Sequence, residues 1–367
     1  MATIMHIQKH TLPGVMPATR HVLHSYHFGA AEAGPHVYLQ AGLHADELPG
    51  VLLLHRLCRR LQALEEAGLI RGRLTLVPMA NPQGLTQHLQ GQHSGRFDGV
   101  SAENFNRHYP DLSAAAAARL DAGADAAAVR QALRQALAER QVGSSIDALR
   151  HTLFGMALAA DVVLDVHCDS EAVLHLYGNN RHQAAAAELA GFLQAGATLL
   201  CDEAGGMSFD DAVVQNWRRL EQRLGVTLPI PLALTLELRG LADVEDRLAA
   251  RDEGALLAWL SWIGVLAGEK VAPPQPPQAA TPLAGVETIV APHGGVVVYQ
   301  AQPGQVLAAG TRIGYLLNPL DGSQTPLLSR RGGYLYARVA NRLATAGAEL
   351  AFVAGQGCWR EGELLSA

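Results

Sequence analysis

The apolar run Val37-Tyr38-Leu39-Gln40-Ala41-Gly42 reads as a strand, and after a short turn through Glu47 a helix-like run follows from Leu48 to Glu66. A strand that passes so quickly into a helix belongs to a layered α/β fold. Further strands are expected near 21–28, 35–42 and 73–79, which repeats the alternation. A second apolar run, Ala160 to Val166, ends at His167 much as the first ends near His44. In open α/β sheets ligands bind beyond the carboxyl ends of strands, so the two histidines can meet in one crevice.

Chemistry at those two ends narrows the function. His44 and Glu47 stand three residues apart just past a strand end, and both side chains can turn to one point in a cleft. Zinc accepts imidazole nitrogen and carboxylate oxygen, and a catalytic site needs only three protein ligands because water holds the fourth position. The third ligand is expected at His167, with Asp165 two residues back on the same face to accept its other ring proton. Asp46 competes with Glu47 for the ligand role, and position favours Glu47, leaving Asp46 to orient His44. The bland alternatives are a solvated His and Glu at a helix start and a satisfied core histidine at 167. Cys168 adjoins His167, but neighbouring strand residues face opposite ways, so its thiol is expected to point away from the metal.

His44-x-x-Glu47, Asn81-Pro82, Asn106-Arg107, Asp165-x-His167 and Glu237 after an apolar strand, taken in that order, resemble the succinylglutamate desuccinylase and aspartoacylase family, relatives of the zinc carboxypeptidases. The resemblance covers roughly residues 35 to 240. It implies a mixed, twisted α/β sheet flanked by helices and a zinc-activated water that cleaves an amide. It also implies that Asn106 and Arg107 hold a substrate carboxylate and that Arg96 polarises the scissile carbonyl. Glu237 fits the base on its own chemistry, because it emerges from the strand Leu232–Leu236 among apolar neighbours that raise its pKa. Glu171 and Glu203 compete from more polar surroundings, and a salt bridge to Arg239 is the structural alternative for Glu237. The sequence departs from the family at His108-Tyr109-Pro110-Asp111 and at Cys168-Asp169-Ser170, which bears on substrate identity.

Beyond this region, the Ala-rich stretch Ser113 to Arg140 reads as helical, residues 185–197 and 210–224 read as further helices, and Leu241 to Leu266 closes the first domain. Pro273-Pro274-Gln275-Pro276-Pro277 marks a stiff linker over 271–282 between a hydrolase domain, 1–270, and a β-rich domain, 283–367. The short runs Thr288–Pro292, Gly295–Tyr299, Gly304–Gly310 and Gly333–Tyr336 look like the barrel-sandwich fold of biotinyl and lipoyl carriers. A carrier needs a modifiable lysine, and residues 271–367 contain none, so that function is rejected on chemistry. Of the tyrosines there, Tyr299, Tyr315, Tyr334 and Tyr336, none is singled out for the cleft. This domain is expected to cover the cleft or to mediate homo-oligomer contacts.

A net charge of −6 argues against a broad nucleic-acid surface. No run is long and apolar enough for a membrane span, and Met1 to Met16 lacks the core of a signal peptide, so a cytoplasmic enzyme is expected. Four scattered cysteines without a C-x-x-C pair fit reduced thiols rather than a disulfide frame or a thiolate zinc site. The reading is a zinc-dependent deacylase, one Zn2+ per chain, acting on a small N-acylated amino acid or related carboxylate. His44, Glu47 and His167 bind metal, and Glu237 moves the proton. A metallocarboxypeptidase is the alternative enzyme, and a non-catalytic metal-binding or scaffold protein the alternative of another class.

Overall fold

The structure, a computed structural model, describes residues 6–30, 34–121 and 123–365. Its main body is a mixed sheet built from β1 (His6–Pro13), β2 (Arg20–Phe28), β3 (His36–Ala41), β4 (Arg73–Val77), β5 (Val162–Asp169), β6 (His175–Asn179), β7 (Ala197–Cys201) and β8 (Leu232–Gly240). The spatial order is β1-β2-β4-β3-β5-β8-β6-β7, with the two-residue strand Thr281–Pro282 at the far edge. β4, β3, β5 and β8 run parallel, whereas β6 returns antiparallel against β8.

The central strands alternate with period two. On one face Val37, Leu39, Ala41, Leu164, Val166, Leu234, Leu236 and Leu238 form an apolar layer. Three helices cover it: α1 (Pro49–Glu66), α5 (Gln183–Leu193) and α7 (Asp246–Trp262). Proline at the first turn of α1 costs no backbone bond there and presets φ. The helix settles closely on the sheet, because a Cβ on Gly50 would stand 2.9 Å from Val166 Cγ1. The opposite face carries Tyr38, Val163 and Ala233 under α3 (Ala126–Ala138), α4 (Ser145–Ala157) and α6 (Phe209–Leu224). Toward the carboxyl ends that face turns polar: Gln40, Asp165 and Thr235 form one cross-strand row, and His167, Glu237 and His175 form the next.

The helical stretch expected over 113–140 forms two helices. A short α2 (Ser113–Ala117) stops, Gly123 takes a positive φ of 93°, and α3 restarts where the Asp125 side chain accepts the Ala128 N–H at 2.8 Å. A side-chain cap outweighs alanine propensity here. The last third folds as two antiparallel sheets around a shared core that includes Ile289, Val297, Ile313, Leu316, Leu335 and Val353. Their principal strands are β9 (Val286–Val290), β10 (Gly295–Tyr299), β11 (Thr311–Leu317), β12 (Gln324–Ser329), β13 (Gly333–Arg338) and β14 (Glu349–Ala354). The two halves exchange strands: Thr281–Pro282 extends the main sheet beside β7, and Glu171–Ala172 joins the edge of β13. Among the described residues no helix is long and apolar enough to cross a membrane.

At the amino ends of the strands a directed hydrogen-bond chain crosses β3, β4, β2 and β1. The Ala159 carbonyl, 3.1 Å from His36 Nδ1, can only accept, so that nitrogen carries the proton. His36 Nε2 then accepts from Thr75 Oγ1 at 3.0 Å, and that hydroxyl accepts from His27 Nδ1 at 3.2 Å. His27 Nε2 in turn accepts from Ser25 Oγ at 2.8 Å, which takes the His10 Nε2 proton at 2.8 Å. Burial first, then neighbouring His6, His10 and His36, push the His27 pKa down to about 4. Burial also lowers His10 and His36. These groups stay neutral when folded but take up protons below about 6.5 when unfolded. Their stabilisation is therefore complete above that pH and is lost as pH falls from 6.5 toward 4. Urea midpoints measured across that range should fall, and a His27→Phe variant should show a flatter profile. Parallel profiles would show that the chain is not the source.

Candidate metal centre

The turn after β3 is held from three sides before any metal is considered. Asn81 Nδ2 donates to the Leu43 carbonyl at 2.9 Å, Ala45 N donates to Gly95 O at 3.0 Å, and Gly42 takes a φ of 68°. A Cβ at Gly95 would lie 2.2 Å from Asp46 N, so only glycine lets the Arg96 segment lie on this turn. The turn presents His44 and Glu47 to the carboxyl end of β5, where His167 stands.

The three side chains converge. Glu47 Oε1 is 2.8 Å from His44 Nδ1, its Oε2 is 2.7 Å from His167 Nδ1, and their ligand-type atoms all lie within 4.8 Å of one another. All three residues are buried. The far side of each ring sets its tautomer. Asp165 Oδ2, a pure acceptor, lies 2.9 Å from His167 Nε2, so Nε2 holds the proton. Asp165 is itself fixed by Gln40 Nε2 at 2.9 Å, and Gln40 by Tyr38. His44 Nε2 donates to Asn104 Oδ1 at 2.9 Å, and that oxygen also accepts the Asn106 N–H at 2.8 Å, which rules out the flipped amide. Both Nδ1 atoms therefore face Glu47 and are the ring nitrogens left for a metal. Two imidazole nitrogens and a carboxylate converging in a buried pocket form a zinc-type donor set. By geometry and donor chemistry, these residues fit the ion.

One expectation is corrected here: Asn104, not Asp46, orients His44. Asp46 lies next to Glu47 in sequence, but the ring's hydrogen-bonding neighbours are Glu47, Asn104 and Arg96, and Asp46 Oδ1 is buried without a hydrogen bond. Nothing local marks Asn104, which reaches His44 from sixty residues away only through the tertiary fold. The Cys168 side chain packs in the apolar layer, while its backbone N–H donates to Glu47 Oε2 at 3.1 Å.

The electrostatics follow from burial and proximity. Burial alone would raise the Glu47 pKa, but His44 and His167 outweigh it and hold the carboxyl well below its usual range. Burial would lower His167, yet Asp165 and Glu47 keep it well above normal in the metal-free protein. His44 is lowered, chiefly by burial. Glu237 pairs directly with His167 across the sheet and lines the cleft, with Oε2 buried and unbonded. Burial, then Glu47, raise its pKa well above normal. Its proposed salt-bridge partner, Arg239, pairs with Asp252 instead. The competing carboxylates are engaged elsewhere: Glu171 binds Arg338 and Arg342, and Glu203 binds Arg219.

Arg96 NH1 lies 3.2 Å from His44 Nδ1 and 3.3 Å from Glu47 Oε1 at the mouth of the cleft. Arg107 is buried on the same cleft and donates to the Asn106 carbonyl. Asn106 lines the cleft too, but its Oδ1 accepts the Phe209 N–H at 2.8 Å and its Nδ2 donates at 3.5 Å to Asp165 Oδ2, the carboxylate that holds His167 Nε2. Its amide thus braces the centre from behind. The cleft has a volume of about 210 Å³, and its outer wall includes Tyr336, Phe352, Arg360 and Leu364 from the last third of the chain. Of the four C-terminal tyrosines, Tyr336 is the one at the cleft, its hydroxyl 3.4 Å from that of Tyr177.

Residues 33–263 match the succinylglutamate desuccinylase/aspartoacylase catalytic-domain family. Among solved structures, a protein assigned to that family from Shewanella frigidimarina NCIMB 400 is 26% identical. That alignment covers 95% of this chain and 97% of the other, with a TM-score of 0.82. A family protein from Shewanella amazonensis SB2B is 28% identical over 95% of this chain and 98% of its own, also with a TM-score of 0.82. A succinylglutamate desuccinylase/aspartoacylase from Rhodobacter sphaeroides, 18% identical, shares the fold over 96% of each chain at a TM-score of 0.66. No curated protein matches the chain.

Proposed function

Because the chain belongs to the succinylglutamate desuccinylase/aspartoacylase family, a family of deacylases, we propose that it is a zinc-dependent amidohydrolase that removes an acyl group from an N-acylated amino acid or a similar small carboxylate. The observation that carries this reading is the convergence of His44 Nδ1, Glu47 and His167 Nδ1, each ring held in the metal-binding tautomer by an acceptor behind it. Zinc bound there supplies a Lewis acid and lowers the pKa of a water to about 7.

The remaining work falls to the chain. Glu237 takes the proton of the attacking water as the new C–O bond forms and returns it to the nitrogen as the C–N bond breaks, giving a carboxylic acid and a free amine. Its raised pKa suits both halves of that exchange. Arg96 faces the carbonyl oxygen and stabilises the charge that develops on it. Arg107 takes the substrate carboxylate through its planar fork, and Asn106 keeps His167 and the Arg107 segment in register. A cleft of about 210 Å³ suits a small substrate better than a peptide end, since pockets for drug-sized ligands run to roughly 300–1,000 Å³.

The test is hydrolysis of a panel of N-acyl amino acids beside peptides with free C-termini. Activity confined to the first group, abolished by chelation and restored by zinc, is the expected result. Full activity in metal-stripped protein would overturn the reading. Within the same assay, Arg96→Met should lower kcat by roughly 10²–10³-fold, the usual cost of one oxyanion donor, while zinc content stays unchanged.

A further inference from the structure

Arg150 lies on α4, whose neighbouring Ile146, Leu149, Leu153 and Phe154 are core residues. A guanidinium on such a face is costly unless its donors are satisfied. Arg150 is 5% exposed, and its fork grips one short loop: NH1 meets Glu103 Oε2 at 2.7 Å and NH2 donates to the Asn104 carbonyl at 2.9 Å. The Glu103 contact is partly exposed and worth little by itself. The Asn104 contact is buried.

That loop is the covalent link between the supports of the two histidine ligands. Asn104 Oδ1 holds His44 Nε2, and two residues later the Asn106 amide donates to Asp165 Oδ2, the acceptor behind His167. The loop lies outside helix and sheet, and an isolated antiparallel bridge, Phe97 to Asn104, ties it to the Arg96 segment through Asp98 N to Glu103 O at 2.8 Å and Phe105 N to Arg96 O at 3.1 Å. Its downstream end is tied to α6 and its approach, where Phe209 N–H donates to Asn106 Oδ1 and His108 N donates to Gly206 O at 3.0 Å. At its upstream end Arg150 adds the tie from the helical layer, to the Glu103 carboxylate and the Asn104 carbonyl, on the side away from the Arg96 segment's bridge. If the Asn104 backbone shifts, Oδ1 leaves His44, the ring loses its fixed tautomer, and Nδ1 is no longer held toward Glu47.

Resting on the metal reading above, we propose that Arg150 is a positioning residue for the metal centre, acting through Asn104. It touches neither the ion nor the substrate. Groups behind metal-binding histidines typically carry 10–100-fold in metal affinity, and Arg150 sets the place of one such group.

The experiment measures the zinc dissociation constant by chelator competition for the wild type, Arg150→Met, Arg150→Lys and Arg130→Met. Circular dichroism and thermal melts of the metal-free proteins serve as fold controls. Arg130 is the comparison because it also reaches from the helical layer, to Asp161 and the Trp217 ring, away from the 103–107 loop. Arg150→Met is expected to weaken zinc about 10–100-fold. Arg150→Lys, which keeps a charge for Glu103 without the fork, should fall between it and wild type, and Arg130→Met should lose thermal stability at unchanged zinc affinity. Wild-type affinity in Arg150→Met, or in the lysine variant if the methionine variant does not fold, overturns the inference and leaves the metal reading standing. Equal losses in Arg150→Met and Arg130→Met overturn it as well. A wild type that takes up no zinc removes both.

Discussion

His167→Ala is expected to leave a folded protein that no longer retains zinc through purification. A four-ligand zinc site is worth on the order of 10–16 kcal/mol, so one ligand carries about 2.5–4 kcal/mol, or 10²–10³-fold in affinity. The loss here falls at the upper end of that range because the site has only three protein ligands and because removing the ring strands its partners. Asp165, fully buried, would lose the His167 Nε2–H, and Glu47 Oε2 would lose its imidazole neighbour. Elemental analysis should give about one zinc per chain for the wild type and a small fraction for the variant, with activity following the residual metal. The pH dependence has a definite sign. His167 holds a proton in the metal-free protein, raised above normal by Asp165 and Glu47, so metal uptake must displace it and apparent affinity falls as pH falls. A variant with wild-type zinc would move the third ligand elsewhere.

Glu237→Gln should do the opposite: zinc content stays at the wild-type level while kcat drops by roughly 10²–10⁴-fold, the usual contribution of a positioned acid–base group. Glu237 stands beside His167 on the neighbouring strand but outside the three-residue ligand set, so the two effects separate. The same substitution should also stabilise the metal-free protein. The Glu237 pKa is raised by burial and by Glu47, so the folded state holds a proton that the unfolded state releases above about 4.5. Stability contributed by this group is therefore lost as pH rises from that value through the raised folded pKa. Glutamine carries no such liability, and a metal-free melt at pH 7 to 8 should show the variant above the wild type. A variant with undiminished turnover would refute the base assignment.

The sequence made the central strands legible because each carries a clear chemical asymmetry. Val37 to Ala41, Val162 to His167 and Leu232 to Glu237 are apolar at every second position and become polar at their carboxyl ends. That pattern places His44, Glu47, His167 and Glu237 at one sheet edge without any knowledge of strand order. What stayed hidden depends on contacts between distant segments. Asp46 was the natural partner for His44 by adjacency, whereas Asn104 holds the ring only because α4 and the 103–107 loop press against the turn after β3. Asn106 reads as a substrate ligand until Phe209 is seen to occupy its carbonyl. The break between α2 and α3 was visible in principle at Asp121, Gly123 and Asp125, but alanine propensity on either side obscured it. Tyr336 could not be told from Tyr299, Tyr315 and Tyr334 because all four sit in short β runs, and only the packing of the two halves brings its hydroxyl to Tyr177.

The strand exchange between the two halves also fixes an order of completion during synthesis. The ligands and the base have all left the ribosome once Glu237 emerges, yet the cleft wall still lacks Tyr336, Phe352 and Leu364. Until they arrive, Leu199 and Ala197 lack the apolar partners Leu283, Val286 and Ala337 that bury them in the finished molecule, and Glu171–Ala172 waits as an unpaired strand for β13. An unfinished chain thus has its candidate metal centre under an open roof, beside a sticky flank. A ribosome paused after α7 would display both, and a holdase or a premature neighbour chain would meet that flank before the chain's own C-terminal sheets do.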